Sequence, residues 1–371
     1  MGVSKSTHRS QRQRFKGVAL LMSLTVVLLL SVALMKTFEK RSVEVAQLGH
    51  NLDRFQAENL SRSGLKLILV AIKQAGLVTF NTYLDQIKQM GFPVGDGTVT
   101  ILEVTPIDYR FDLNRVIRRY DDLRIQVFKN MVNMSKEGSN EFNYLSGEST
   151  HEALSAIIDW TDSNDMDDTV FHFSAEQYPQ AEPGYKVKNT GFDRLSELNL
   201  LPAFQSLGFT RDYLEANFRV VTGTDSTLSE YIDVNLTRLP DIERVLRRYE
   251  DMDKYANLFE RRDEILDLIQ KTREEAGNNS SSGFKESTTP FPAKNFGRTW
   301  SQELETKGIR LTKDEVNLKL FQHFTEHLFV HYQINVGTVT LNIRSMIKVG
   351  YRDLQKSLDI QELKIVWFRI S

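Results

Sequence analysis

The chain has 371 residues, of which 40% are hydrophobic and 26% charged, with a formal net charge of −2. At roughly 100–200 residues per domain that length admits two or three units with real cores, and the near-neutral balance supplies no global field for nucleic acid. The chain contains no cysteine, which excludes disulfides and thiolate sites but leaves the compartment open, since an exported protein can do without them.

The N-terminus is basic, with Lys5, Arg9, Arg12, Arg14 and Lys16 and no acid, and leads into residues 18–35, which carry no charge and are rich in Leu and Val. A helix needs about 20 apolar residues (range ~17–25) to cross the hydrocarbon core, so this run is just long enough. Positive flanks stay cytoplasmic, which puts the N-terminus inside and the bulk outside. A secretory signal would end its shorter apolar stretch at a small-residue cleavage site. "SVALMKTFEK" offers only a poor version of one. Instead, Val45, Leu48, Leu52 and Phe55 recur at steps of three and four, continuing a helix with one apolar stripe. "MGVSKS" fits the N-myristoylation pattern, a short and common match that a basic leader feeding a spanning helix does not need.

The helix is expected to run to about Ala75, with Gly64 as the place for a bend. "GFPVGDGTVTILEVTP" then reads as a hairpin edge and a strand, with Pro and Gly turn signals before β-branched residues. Patterns from about 114 to 271 are mostly helical. Within them, "AIIDWTDSNDMDD" gathers Asp159, Asp162, Asn164, Asp165, Asp167 and Asp168. Hard oxygens at close spacing suit Ca²⁺, which takes six to eight. The run is no EF-hand, because Met166, Asp167 and Phe173 occupy positions that such a loop reserves for an oxygen ligand, a glycine and a glutamate; turns and helix caps use the same residues. Trp160 follows the apolar "LSAII", which favours core packing over recognition.

"DIERVLRRYEDMDKYANLFERRDEILDLIQK" reads as a charged helical block with a solvated face. Residues 277–292, "NNSSSG" among them, form a composition break read as a flexible connection or exposed loop. "HFTEH", from His323 to His327, matches H-x-x-E-H; on a helix, His323 and His327 could hold zinc with Glu326 activating water. "HLFVHYQINVGTVTLNIRSMIKVG" and "ELKIVWFRI" read as strands, which competes with a helix at His323–His327; exposed histidines at a junction are the plainer reading.

"FKGVALLMSLTVVLLL" resembles a prepilin processing site: a short basic leader, a glycine, then a uniformly apolar helix. The resemblance implies cleavage after Gly17 by a membrane peptidase, methylation of Val18, and retention of the apolar helix. Most pilin-like subunits carry glutamate at the fifth mature position, where this chain has Met22. The K family of type II secretion minor pseudopilins characteristically lacks it. "AIIDWTDSNDMDD" is similar to that family's D-W-I-D-x-D segment, although the family's glycine-rich stretch after it is replaced by "NDMDDTVFHF". "YPQAEPGYKVKNTGFDRLSELNLL" matches a family run at Tyr178, Tyr185, Asn189, Leu195, Glu197 and Leu198. "YIDVNLTRL" resembles I-N-V-N-T-A, with Asn235 retained and Asp233 for the first asparagine. "YRFDLNRV" resembles R-x-N-L-N, with Asp112 for one asparagine and Asn114 retained.

The resemblance implies an α+β fold in which a long N-terminal pilin-like helix packs on an antiparallel sheet interrupted by a large inserted α-helical domain. On that scheme residues 1–17 are the leader, 18–75 the helix, 76–113 the first part of the sheet, 114–275 the insertion, 276–300 a loop and 301–371 the returning strands. It implies assembly, not catalysis: a single-pass inner-membrane subunit, bulk periplasmic, capping a pseudopilus tip and helping to nucleate it. The implied partners are minor pseudopilins I and J, the major pseudopilin and the prepilin peptidase, with calcium as an implied ligand of the acidic run and no nucleic acid. A type IV pilus minor pilin, and a membrane-anchored periplasmic metalloenzyme built on His323, Glu326 and His327, are the alternative readings.

Overall fold

The computed structural model describes residues 7–116, 122–136, 147–161, 188–205, 207–221, 230–278, 296–352 and 359–370. One helix, α1 (Thr7–Ala75), runs unbroken through the apolar segment and the stripe beyond it. Gly64 does not interrupt it. A Cβ there would come within 2.9 Å of Val99 Cγ2, so the glycine lets the helix approach the sheet closely.

A second helix, α2 (Leu77–Met90), occupies residues that the sequence reading assigned to the start of the sheet. Leu77, Phe80, Leu84 and Ile87 explain it: steps of three and four make one apolar side, and that side is turned into the core. Strands β1 (Phe92–Val94) and β2 (Gly97–Pro106) then form the expected hairpin.

The rest of the sheet comes from the far end of the chain. Strands β7 (His327–Val336), β8 (Val339–Tyr351) and β9 (Ile360–Ile370) complete a five-stranded antiparallel sheet of order β1-β2-β7-β8-β9. Strand alternation sends Val330, Tyr332 and Ile334 of β7, with Ile343 and Ile347 of β8, onto the Ala57–Ile72 stretch of α1. The Tyr332 hydroxyl donates to the Ser61 carbonyl at 2.6 Å across that contact.

Between β2 and β7 lies the helical unit, with its own core. Short strand β3 (Phe111–Asp112) leads into α3 (Leu113–Val116), α4 (Asp122–Lys136) and α5 (Gly147–Thr161). After the 3₁₀ helix Leu195–Leu200 come α6 (Pro202–Gln205) and α7 (Arg211–Asn217). Strand β4 (Phe218–Arg219) pairs in parallel with β3. Rings of Phe111, Phe128, Phe204, Phe209 and Phe218 meet at 5.1–6.5 Å at the centre of this core.

Strand β5 (Ile232–Asp233), α8 (Leu239–Arg247), α9 (Ala256–Glu260) and α10 (Arg262–Asn278) follow. Then come α11 (Phe296–Thr306), α12 (Lys313–Asn317) and β6 (Phe321–Gln322), which pairs with β5. The helical unit therefore continues past residue 300, where returning strands were expected: Trp300, Leu304, Ile309 and Leu320 are buried in its core. The two-residue strands β3 to β6 escaped the sequence reading because they are too short to show alternation.

The charged block is also less solvated than its composition suggests. Helix α8 buries Ile242, Val245 and Leu246, and α10 buries Ile265, Leu268 and Ile269. Arg248 is buried with them, donating to the Tyr109 carbonyl at 2.8 Å.

Candidate functional site

The exposed length of α1 is the first candidate. From Leu21 to Met35 its apolar side chains are open, Met22 being 67% exposed, and the helix is long and apolar enough to cross a membrane. The hydroxyls in and just beyond this stretch are already satisfied: Thr25, Ser31 and Thr37 each donate to the carbonyl four residues back at 2.8 Å. That matters in hydrocarbon, where no water can take the bond.

Beyond the anchor, Phe38, Val45, Leu48, Leu52 and Phe55 stay exposed. At about 100° per residue this stripe falls roughly opposite Ala57, Ser61, Leu65, Ile68 and Ile72, which face the sheet. The helix therefore has one side committed to its own sheet and an apolar side left exposed. Gly17 and Val18 lie inside the helical span, upstream of the described side chains.

Among the described residues that carry the family resemblance, Trp160, Asn189, Glu197, Leu198, Asn114 and Asn235 lie in the helical unit, where most of them tie loops down. Trp160 is buried, stacks over Phe192 at 6.3 Å, and its Nε1 donates to Glu197 Oε2 at 3.4 Å. Glu197 also accepts from the backbone N–H groups of Asp193 and Arg194 at 3.0 Å and pairs with Lys188 at 3.0 Å. Leu198 is fully buried, and Asn189 adopts φ 51, a left-handed turn that asparagine tolerates.

Asn114 spans three segments. Its Nδ2 donates to the Phe192 and Val221 carbonyls, and its Oδ1 accepts from the Phe192 N–H at 2.6 Å. Asn235 Nδ2 donates to the His323 carbonyl at 3.0 Å. Asp112 and Asp233 stand where the resembling family has asparagine. Each accepts from the backbone N–H two residues on, at 3.1 and 2.8 Å, a turn an amide oxygen would make equally well.

Of the acidic run, Asp159 is buried on α5. Asp162, Asn164, Asp165, Asp167, Asp168 and the matched Tyr185 lie outside the described residues.

The zinc alternative is corrected by geometry. It needs His323, Glu326 and His327 on one helix, and they instead lie on a bend entering strand β7. His327 is committed elsewhere, its Nδ1 2.8 Å from Asp108 Oδ1. Among the described residues no three His, Asp or Glu side chains are grouped to hold a metal.

Asp108 is the centre of the network that sequence reading missed. It sits just past β2, fully buried, and both oxygens are engaged. Oδ2 accepts from Thr325 Oγ1 at 2.6 Å and from the backbone N–H groups of Glu326 and His327 at 2.7 and 2.9 Å. Oδ1 accepts from Arg219 of β4 at 2.5 Å and meets His327 Nδ1. Burial would raise the carboxyl's pKa, but His327 and the Arg219 guanidinium outweigh it and hold the group well below the usual range.

Beside Asp108, Glu230 is brought down to about 2: burial raises it, but Arg124, 2.8 Å away, and the Asp112 N–H lower it further. Asp233 lacks such help. Burial lifts it to about 7, against two backbone N–H groups and the more distant charge of Arg273. The only sequence signal for Asp108 was an acid among apolar residues in "TPIDYRF", which does not say who its partners are.

A long exposed helix, an antiparallel sheet and a helical unit inserted between its strands define a pilin-like subunit carrying a large insertion. No family model matches the chain. Type II secretion system protein K of Klebsiella pneumoniae is 27% identical over 208 residues, 53% of this chain and 61% of that protein. The chain thus spans about three fifths of that relative's length. A chain of the GspK–GspI–GspJ complex from the type 2 secretion system of enterotoxigenic Escherichia coli shares the fold, with a TM-score of 0.51, 11% identity, and coverage of 86% of this chain and 99% of that one. The resemblance to the type II secretion protein K family read from the sequence therefore has a named sequence relative and a shared fold behind it.

Proposed function

We propose that this protein is a minor pseudopilin of a type II secretion system, an assembly subunit and not an enzyme. The observation that carries the reading is α1 itself: anchor and stem form one helix whose outward apolar side is unmatched by anything in its own sheet. Anchored by residues 18–35 with its bulk in the periplasm, the subunit packs that side against helices of like subunits. In lipid such packing relies on close contact, not on a hydrophobic drive.

Cleavage after Gly17 and methylation of Val18 belong to the same reading. Intact-mass measurement on protein extracted from native envelopes should find residues 1–17 gone and the apolar helix retained; a full leader, or loss of the helix, would overturn it.

Met22 supports a place at the pseudopilus tip. Without a carboxylate at the fifth mature position, the subunit cannot pair with the terminal amine of a neighbour, so it caps the fibre and helps to nucleate it. The Escherichia coli complex joins GspK with GspI and GspJ, and the corresponding subunits are the partners proposed here. Co-purification of the full chain with its I and J counterparts tests this, and recovery of the chain without them counts against it.

Calcium is the proposed ligand of Asp159, Asp162, Asn164, Asp165, Asp167 and Asp168, whose hard oxygens suit it. Titration calorimetry should give heat that Asp162→Ala abolishes; no heat from the parent removes the site.

A further inference from the structure

The sheet and the helical unit have separate cores, yet the chain passes between them twice, after β2 and before β7. Both crossings converge on Asp108. Its carboxylate gathers Thr325, Glu326 and His327 from the strand that returns to the sheet and Arg219 from β4 of the helical unit. Its own carbonyl accepts from Tyr231 N–H at 3.2 Å, at the entry to β5, and the Tyr231 hydroxyl accepts from Glu326 N–H at 3.0 Å. Just beyond, Ile232 and Val234 belong to the helical core while Leu236 belongs to the sheet core, so one short segment is built into both.

Among the described residues, the other ion pairs between the two units are peripheral: Arg344 to Glu215 at 2.9 Å, half-exposed, and Arg238 to Glu103 at 3.8 Å. Solvent screens such pairs, whereas a buried carboxylate that saturates five donors has no water to fall back on.

We propose that Asp108 is a latch that makes the sheet and the helical unit one rigid body, so that the orientation of the helical unit is passed directly to α1. The inference rests on this geometry alone and stands whether or not the protein serves secretion. An asparagine in its place keeps one acceptor oxygen but turns the other into a donor facing donors, which breaks the latch with almost no change in volume.

The cysteine-free chain allows two labels to be placed cleanly. Full-length protein in lipid nanodiscs, carrying spin labels at Gln270→Cys on α10 and Thr340→Cys on β8, is measured by pulsed electron resonance. The parent should give one narrow distance distribution and one melting transition. Asp108→Asn should at least double the width of the distribution and split or broaden the melt, while Glu215→Gln leaves both unchanged. If Asp108→Asn does not fold, Thr325→Ala removes a single donor to the same oxygen and should widen the distribution to a lesser degree. An unchanged width in whichever of these variants folds overturns the latch, as does a parent distribution that is already broad.

Discussion

Two buried carboxylates a short distance apart in the fold show how differently the same side chain is used. Asp108 and Asp233 are each about 1% exposed. Asp108 lies where two units cross, and an arginine and four other donors complete it; it is charged and holds the crossing together. Asp233 lies inside one turn with two backbone N–H groups, and burial dominates, so its carboxyl is lifted to about 7. Burial disfavours charge at both; what differs is how many segments bring donors to the site.

The largest expected effect is at the crossing. Asp108→Ala takes the close partner from the buried Arg219 guanidinium and from the His327 N–H, and leaves the Glu326 N–H to the Tyr231 hydroxyl alone, at a cost of about 3–5 kcal/mol, read as a drop in the denaturation midpoint. Because its folded pKa is depressed, the contribution of Asp108 is present above the unfolded carboxylate value near 4 and is lost only as pH falls through the lower folded value. The loss in Asp108→Ala should therefore be as large at pH 8 as at pH 5; a loss present at pH 5 and absent at pH 8 would remove the contrast with Asp233.

The turn should behave in the opposite sense. A raised folded pKa gives stability that is complete below the unfolded value and disappears as pH rises through about 7. Asp233→Asn keeps the turn's acceptor and never ionises, so it should stabilise the protein by on the order of 1–4 kcal/mol at pH 8 and by little at pH 4. Melting curves at the two pH values check this, and equal shifts at both would show that charge is not what separates the two sites.

The smallest effect belongs to the rim. Glu215→Gln removes a half-exposed partner of Arg344 and should cost about 0–1 kcal/mol, less at high salt. A loss comparable to that of Asp108→Ala would mean that the rim, not the buried crossing, joins the two units.

Much of this protein could be read from residues in order. The uncharged run of 18–35 and the stripe from Val45 to Phe55 announced a long helix that keeps an apolar outer side, because helical periodicity is a local property. The hairpin at residues 92–106 and the long strands at the C-terminus were equally visible in their turn and β-branched residues. Helix α2 carried its own signal in Leu77, Phe80, Leu84 and Ile87, which the prominence of the hairpin beside it obscured. Trp160 was placed correctly in a core by the apolar residues before it.

The sites at Asp108 and Arg248 were not legible. Their partners lie 111 or more residues away for Arg219, Thr325 and His327, and 139 away for Tyr109. No spacing rule connects such positions.

The sequence by itself determined the anchor, the exposed stripe that continues it and the alternation of the sheet, since each follows from neighbours within a few residues. Only the tertiary structure decided that the helical unit runs on past residue 300, that "HFTEH" enters a strand and surrenders His327 to Asp108, and that one buried aspartate has its pKa lowered while another has its pKa raised to about 7. The physical reason is common to all three. The ionisation and pairing of a buried group depend on the donors and the dielectric around it, and those are supplied by segments that meet only when the chain has folded.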